Sequence, residues 1–250
     1  MNNIGKKASY ESGVSQAIKS TNYAESSISS INKFTVKVAE TTDEKRNAFH
    51  LAYQSYLKKG YTTESENGLL DEEYDKWMDT TIFITIDQKN KVIGTASVLY
   101  NHSNNLPCFE LFDIANITQD LSTAEITRFA IDDKCKHGLQ ILQEMYVYLY
   151  FFSKRNFNIE CFLIEVNPRH VMFYEKKLGF KIIRNGVPCP RVHGAIAVLL
   201  QTNFELFDSI NKGISIKNKK LKYIYNYYRN FEFTNTTKVR SNKEQFVLSK

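Results

Sequence analysis

Glycine and proline are scarce in this chain, 10 and 4 among 250 residues. That scarcity excludes a collagenous, low-complexity or mostly disordered protein. Long apolar runs are missing too, and none approaches the roughly 20 residues a helix needs to cross a bilayer. The opening M-N-N-I-G-K-K-A-S-Y leads into serines rather than an apolar stretch, so no secretory signal is visible. Cys108, Cys135, Cys161 and Cys189 are widely spaced and form no C-x-x-C pair. They read as reduced thiols, not as a disulfide framework or zinc site. His50, His102, His137, His170 and His193 show no paired ligand spacing, and no metal is expected. A cytoplasmic protein is the expectation.

What is present is a core. The chain has 250 residues, 42% hydrophobic and 24% charged, which suits one large domain, or one domain with appendages. The net charge of +6 is uneven. Residues 211–250 hold ten Lys/Arg against Glu232 and Glu244, a net +8, leaving −2 on residues 1–210. Tyr223, Tyr225, Tyr227, Tyr228 and Phe231 interleave with that basic tail. The composition fits a solvated amphipathic helix laid over the sheet, or a surface for an acidic protein, an anionic membrane or nucleic acid. Nucleic acid is disfavoured, because no helix-turn-helix, zinc-finger or RNP-type signature accompanies the charge. The organisation is therefore a polar, serine-rich arm over 1–33, a body over 34–210, and a basic, Tyr-rich extension over 211–250.

Within the body, F-T-V-K-V alternates as a half-buried strand does. Thr42 or Asp43 is placed to cap the next helix, which carries Phe49, Ala52, Tyr53 and Tyr56 at helical spacing and stops at Gly60. A short helix is expected from Leu70 to Trp77. Two β-rich runs, Ile82–Ile86 and Val92–Tyr100, flank D-Q-K-N and read as a hairpin. After an irregular stretch over 101–121 come the strand E-I-T-R-F-A-I and an apolar helix from Gly138 through Phe152. Strand Ile159–Val166, helix Pro168–Leu178, a short strand Phe180–Ile183 and the strand A-I-A-V-L-L follow. This order makes a mixed sheet with helices on its faces.

Three segments carry the chemistry. In E-I-T-R-F-A-I, alternation sets Glu125, Thr127 and Phe129 on one face and Ile126, Arg128 and Ala130 on the other. A carboxylate and a guanidinium in an apolar strand must be paired or used. Next, D-D-K-C-K-H-G opens the long helix, where free N–H groups with Lys134, Lys136 and His137 suit a phosphate. Third, N-P-R-H-V-M-F-Y-E-K-K-L-G-F starts a helix with Asn167 as cap and Pro168 at its first position. It sets Tyr174 one turn from His170.

That third run resembles the acetyl-CoA-binding helix of the GNAT-type N-acyltransferases, in which an Asn opens the helix, a Tyr follows seven residues later and G-F begins the next strand. E-I-T-R-F-A-I resembles their central strand. Together with F-E-L-F, P-C-P-R-V-H-G-A-I-A-V-L-L, the helix bearing Arg46, Phe49 and Tyr53, and Tyr74-Asp75, the match is similar to the N-acyl amino acid synthase family. That family includes long-chain N-acyltyrosine synthases and is related to autoinducer synthases. The resemblance spans roughly Phe34 to Phe204.

It implies an α/β (mixed α+β) GNAT fold with six or seven strands, and direct acyl transfer to a small amine or amino acid. Glu125 would be the general base, with Arg128 orienting it or binding the acceptor carboxylate. Tyr174 would be the acid for the departing thiolate. Backbone at Phe129, Ala130 and Ile131, with Asn167, would line the acyl-phosphopantetheine arm, and Lys134, Lys136, His137 and Gly138 would hold its phosphate. Arg169 and His170 would contact substrate or set their helix. Two departures matter. Gln140 stands where a second small residue would admit a diphosphate, which favours an acyl carrier protein over acyl-CoA as donor. G-T-A-S-V-L lacks the family's arginine after G-T, so no contact is carried over from it. The alternatives are an acyl-CoA-dependent acetyltransferase and a non-catalytic carrier- or membrane-binding module on the same fold.

Overall fold

The computed structural model describes residues 34–70, 75, 80–100, 106–114 and 121–204. The arm 1–33, the extension 211–250 and most of the helix expected over Leu70 to Trp77 lie outside the described residues. So do 101–105 and 115–120 of the irregular stretch.

The chain runs β1 (Phe34–Val38), α1 (Thr42–Lys58), β2 (Thr80–Asp87), β3 (Val92–Tyr100) and a one-turn α2 (Cys108–Leu111). It continues β4 (Thr123–Ile131), α3 (Gly138–Phe157), β5 (Cys161–Val166) and α4 (Pro168–Leu178). It closes with β6 (Lys181–Cys189), a 3-10 turn (Pro190–Val192) and β7 (Ala195–Asn203). The seven strands form one sheet in the order β1-β2-β3-β4-β5-β7-β6. Every neighbouring pair is antiparallel except β4–β5. The result is a mixed α+β sheet flanked by helices, as expected.

Local chemistry sets the helix ends. The cap of α1 is Thr41, one or two residues before the expected Thr42 or Asp43. Its hydroxyl accepts from the Glu44 N–H at 3.1 Å, while Glu44 accepts back from the Thr41 N–H at 3.2 Å. This reciprocal box needs an acid three residues after the cap, and only Thr41 has Glu44 there. Helix α3 runs five residues past the expected Phe152 and ends at Asn158, which takes the left-handed conformation at φ 51°. Gly179 ends α4 at φ 76°, where a side chain would be strained.

The core has two sides. Helices α3 and α4 cover one face, burying Ile141, Met145, Tyr146 and Leu149 against Ala96, Ile126, Phe162 and Leu200. On the other face α1 packs Ala48 over Ile82 and Ile84. Around α2, Leu106, Cys108 and Phe112 pack on Leu99, Leu163 and Leu199. Strand β6 is nine residues, not the short Phe180–Ile183, because a sheet edge tolerates Gly186 and Pro188.

Candidate active site

Strands β4 and β5 part company midway. Their parallel ladder runs from Thr123↔Cys161 to Ile126↔Ile164 and stops. Beyond it, residues 127–131 of β4 have no ladder partner on the β5 side among the described residues, so the strands splay into a cleft. A cavity of about 510 Å³ fills this gap. It is lined by β4 from Glu125 to Ile131, by β5 from Ile164 to Val166 and the following Asn167, and by side chains from α1, α3, α4 and β6–β7.

A bulge re-aims β4. Opposite β3, the register shifts between Thr95↔Ala130 and Ser97↔Thr127, so two residues of β4 face Ala96. Arg128 takes φ 52° there, a strained conformation for a side chain with a Cβ. This corrects the simple alternation expected for the strand. Arg128 swings onto the same face as Glu125, where its Nη2 donates to Ser97 Oγ at 2.9 Å. Its guanidinium also forks onto the Asp75 carboxylate, donates to the Leu70 carbonyl at 3.2 Å and lies over the Phe49 ring. Arg128 is held by Asp75, and the structure shows no bond between it and Glu125. The side chains of Arg128 and Asp75 are 3% and 6% exposed, so each charge depends on the other.

Glu125 is 2% exposed and borders the cavity. Its Oε2 accepts from the Cys108 N–H at 2.9 Å. Burial, and then the nearby Glu165 carboxylate, push its carboxyl up to about 8. On the opposite wall, half-buried Tyr174 enters the same cavity from α4. Desolvation pushes its phenol well above the ordinary range, so it stays protonated at neutral pH. Tyr56 of α1 lies close by and is pushed up to about 12, chiefly by desolvation.

The other expected residues divide. Phe129, Ala130, Ile131, Gly138, Asn167 and His170 line the cavity. Asn167 caps α4 by accepting from the Arg169 N–H at 3.3 Å. Arg169 turns to Tyr61, donating to its hydroxyl at 3.0 Å, and its Nε donates to His170 Nε2 at 3.1 Å. That contact needs a neutral imidazole; burial and the charges of Arg169 and Lys59 lower the affinity of His170 for a proton. Lys134, Lys136 and His137 sit outside the cavity on the exposed turn that leads to Gly138. Gln140 folds along α3, donating to Glu144 Oε1 at 2.9 Å.

Three cleft residues were not assigned a role from sequence. Glu165 follows Leu163 at strand spacing and is an acid inside a buried strand, which was a readable signal. Arg191, quoted only within P-C-P-R-V-H-G, reaches Glu165 across β7. Tyr56 was read as core. All four thiols are free. Burial raises those of Cys108, Cys161 and Cys189, which makes them poor nucleophiles. Among the described residues, no group of three His, Cys, Asp or Glu side chains is set to hold a metal, and no helix is long and apolar enough to cross a membrane.

A splayed parallel pair in a mixed sheet, with an Asn-capped, Tyr-bearing helix beside the gap, is the framework of the GNAT-type acyltransferases. The model of the N-acyl amino acid synthase FeeM family matches residues 47–203, and the chain belongs to that family. It is an acyltransferase. The structure of FeeM, an N-acyl amino acid synthase from uncultured soil microbes, aligns with TM-score 0.61 at 19% identity, covering 70% of this chain and 93% of that one. A CoA-dependent acyl-homoserine lactone synthase, BjaI, solved with SAM and isopentyl-CoA, aligns at 0.54 and 12% identity, over 79% of this chain and 92% of that one. At such identities the two share the fold. No curated protein matches the chain.

Proposed function

We propose that this acyltransferase moves an acyl chain, a long one, from the phosphopantetheine thioester of an acyl carrier protein to the amine of an amino acid or similar small amine. The observation that carries this reading is the pairing of Glu125 and Tyr174 on two walls of one cavity. The thioester lies along β4, its carbonyl oxygen taken by backbone N–H groups of Phe129–Ile131. The amine enters from the α1 side and attacks the carbonyl carbon. The C–N bond forms and Glu125 takes the amine proton; the C–S bond breaks and the thiolate takes the Tyr174 proton. Arg128, fixed by Asp75, orients the acceptor. Gly138, with Lys134, Lys136 and His137, faces the phosphate, Asn167 lies beside the pantetheine arm, and Arg169 and His170 meet substrate at the mouth.

Gln140, where a second small residue would admit a diphosphate, supports the carrier over CoA. The +8 of residues 211–250 suits an acidic carrier surface or, at the membrane, anionic lipid holding a long-chain product. The reaction belongs to the cytoplasm, where acylated carrier is made.

Purified protein given acylated carrier or acyl-CoA and a mixture of amino acids tests this by mass spectrometry. An N-acyl amino acid formed faster from the carrier is the expected result. Product from CoA alone reassigns the donor. A lactone formed with S-adenosylmethionine, or no product with any donor, overturns the reading.

A further inference from the structure

Glu125 does not stand alone on its wall. It lies opposite Leu163 of β5, so Glu165, two residues on, shares its face one step along the cleft and also borders the cavity. Both Glu165 oxygens accept from Arg191 Nη2 at 2.7 Å. Arg191 Nη1 donates to the Pro107 carbonyl at 3.1 Å and reaches Glu110 at 3.4 Å. The N–H of that same peptide, belonging to Cys108, is the one that donates to Glu125 at 2.9 Å. One peptide group thus joins two acids, its oxygen against the guanidinium and its N–H against the carboxyl. Hydrogen bonds in series polarise one another.

We infer that Glu165 and Arg191 are positioning residues that set the proton occupancy of Glu125 through the Pro107–Cys108 peptide, making this wall a coupled two-carboxylate site rather than a lone base. Its meaning for catalysis rests on the reading of Glu125 as base. Glu165 favours a proton on Glu125, because two carboxylates on one face of one buried cleft do not both ionise readily. Arg191 opposes that, by its charge and by sharpening the donor N–H. The balance brings a carboxyl toward the proton affinity an amine-deprotonating base needs near neutral pH. The other titratable or charged groups around the pair are Glu110 of α2, which meets Arg191, the thiols of Cys108 and Cys189, Tyr56 from α1, and Arg128 of β4. The two thiols and the phenol are neutral at that pH, and Arg128 is occupied by Asp75.

The test is a carbon-13 NMR titration of the full chain with labelled glutamate carboxyls, the Glu125 signal assigned by its loss in Glu125→Gln. Glu165→Gln should lower the Glu125 midpoint by about one pH unit, tenfold in proton affinity, and Arg191→Met should raise it comparably. The double variant should return near wild type, and the acidic limb of kcat/KM should follow each midpoint. Arg191→Lys, which keeps the charge but loses the fork, should fall between wild type and Arg191→Met, and serves if the methionine variant does not fold. Midpoints that stay put, or move the same way in Glu165→Gln and the Arg191 variants, overturn the inference. Full turnover by Glu125→Gln would instead remove Glu125 as base while leaving the titration result standing.

Discussion

The two walls of the cleft rise from one sheet and have opposite chemistry. The wall under α3 and α4 is mostly apolar, with Leu142, Phe173 and Ile164 around one phenol, Tyr174, and its polar members Asn167 and His170 at the start of α4. The wall under α1, α2 and the 3-10 turn carries Glu125, Glu165, Arg128 and Arg191. An apolar wall needs no pairing and keeps a phenol protonated, which suits donation to a leaving thiolate. A charged wall can be buried only if its charges are matched. Here they are matched in two separate sets, Arg128 with Asp75 and Arg191 with Glu165. Glu125 is buried beside the Glu165 carboxylate, which is why its carboxyl holds a proton so tightly.

The contrast can be broken most severely at the charged wall. Glu125→Gln keeps an acceptor for the Cys108 N–H and should preserve the fold, yet cut turnover by about 10²–10⁴-fold. Acyl-transfer assays beside a thermal melt check it, and near-normal turnover would take Glu125 out of the chemistry. Asp75→Ala strands a buried guanidinium and should cost about 3–5 kcal/mol in chemical denaturation. Adding Arg128→Met should recover much of that loss, and no recovery would mean that Arg128 is held mainly by Ser97 and Leu70.

The apolar wall gives the next test. Tyr174→Phe should lower kcat by about 10²-fold, with the donor KM little changed. Equal rates for the two enzymes would assign the phenol to packing. The smallest effect belongs outside both walls. Thr41→Ala removes one half of the capping box and should cost about 1 kcal/mol with turnover intact. A larger loss would show that α1 transmits strain to Tyr56 and the cleft.

Much of the framework was legible because it depends on neighbours in sequence. Alternation marked β1 to β3. N-P with G-F bracketed α4 to the residue, because an Asn cap, a Pro at the first position and a left-handed glycine are all local requirements. The cap of α1 was misplaced at Thr42 or Asp43, although the acid three residues on, Glu44, belongs to Thr41. The sequence singled out Glu125, Arg128 and Tyr174, which the structure brings to one cavity, but their geometry was not legible. Alternation put Arg128 on the wrong face, because a bulge opposite Ala96 depends on how β3 and β4 align. Glu165 and Arg191 met only across β5, β7 and the turn after β6, 26 residues apart in sequence.

By itself, then, the chain's order of residues determined its elements, the ends of α4 and the kinds of side chain available for acyl transfer. Those follow from periodicity and capping, which act over a few residues. Tertiary structure alone decided that β4 and β5 separate after Ile126 and Ile164, that the bulge turns Arg128 to Asp75, and that one peptide links two acids. Each of these depends on strand register and on burial shared between distant segments, and neither can be read from spacing along the chain.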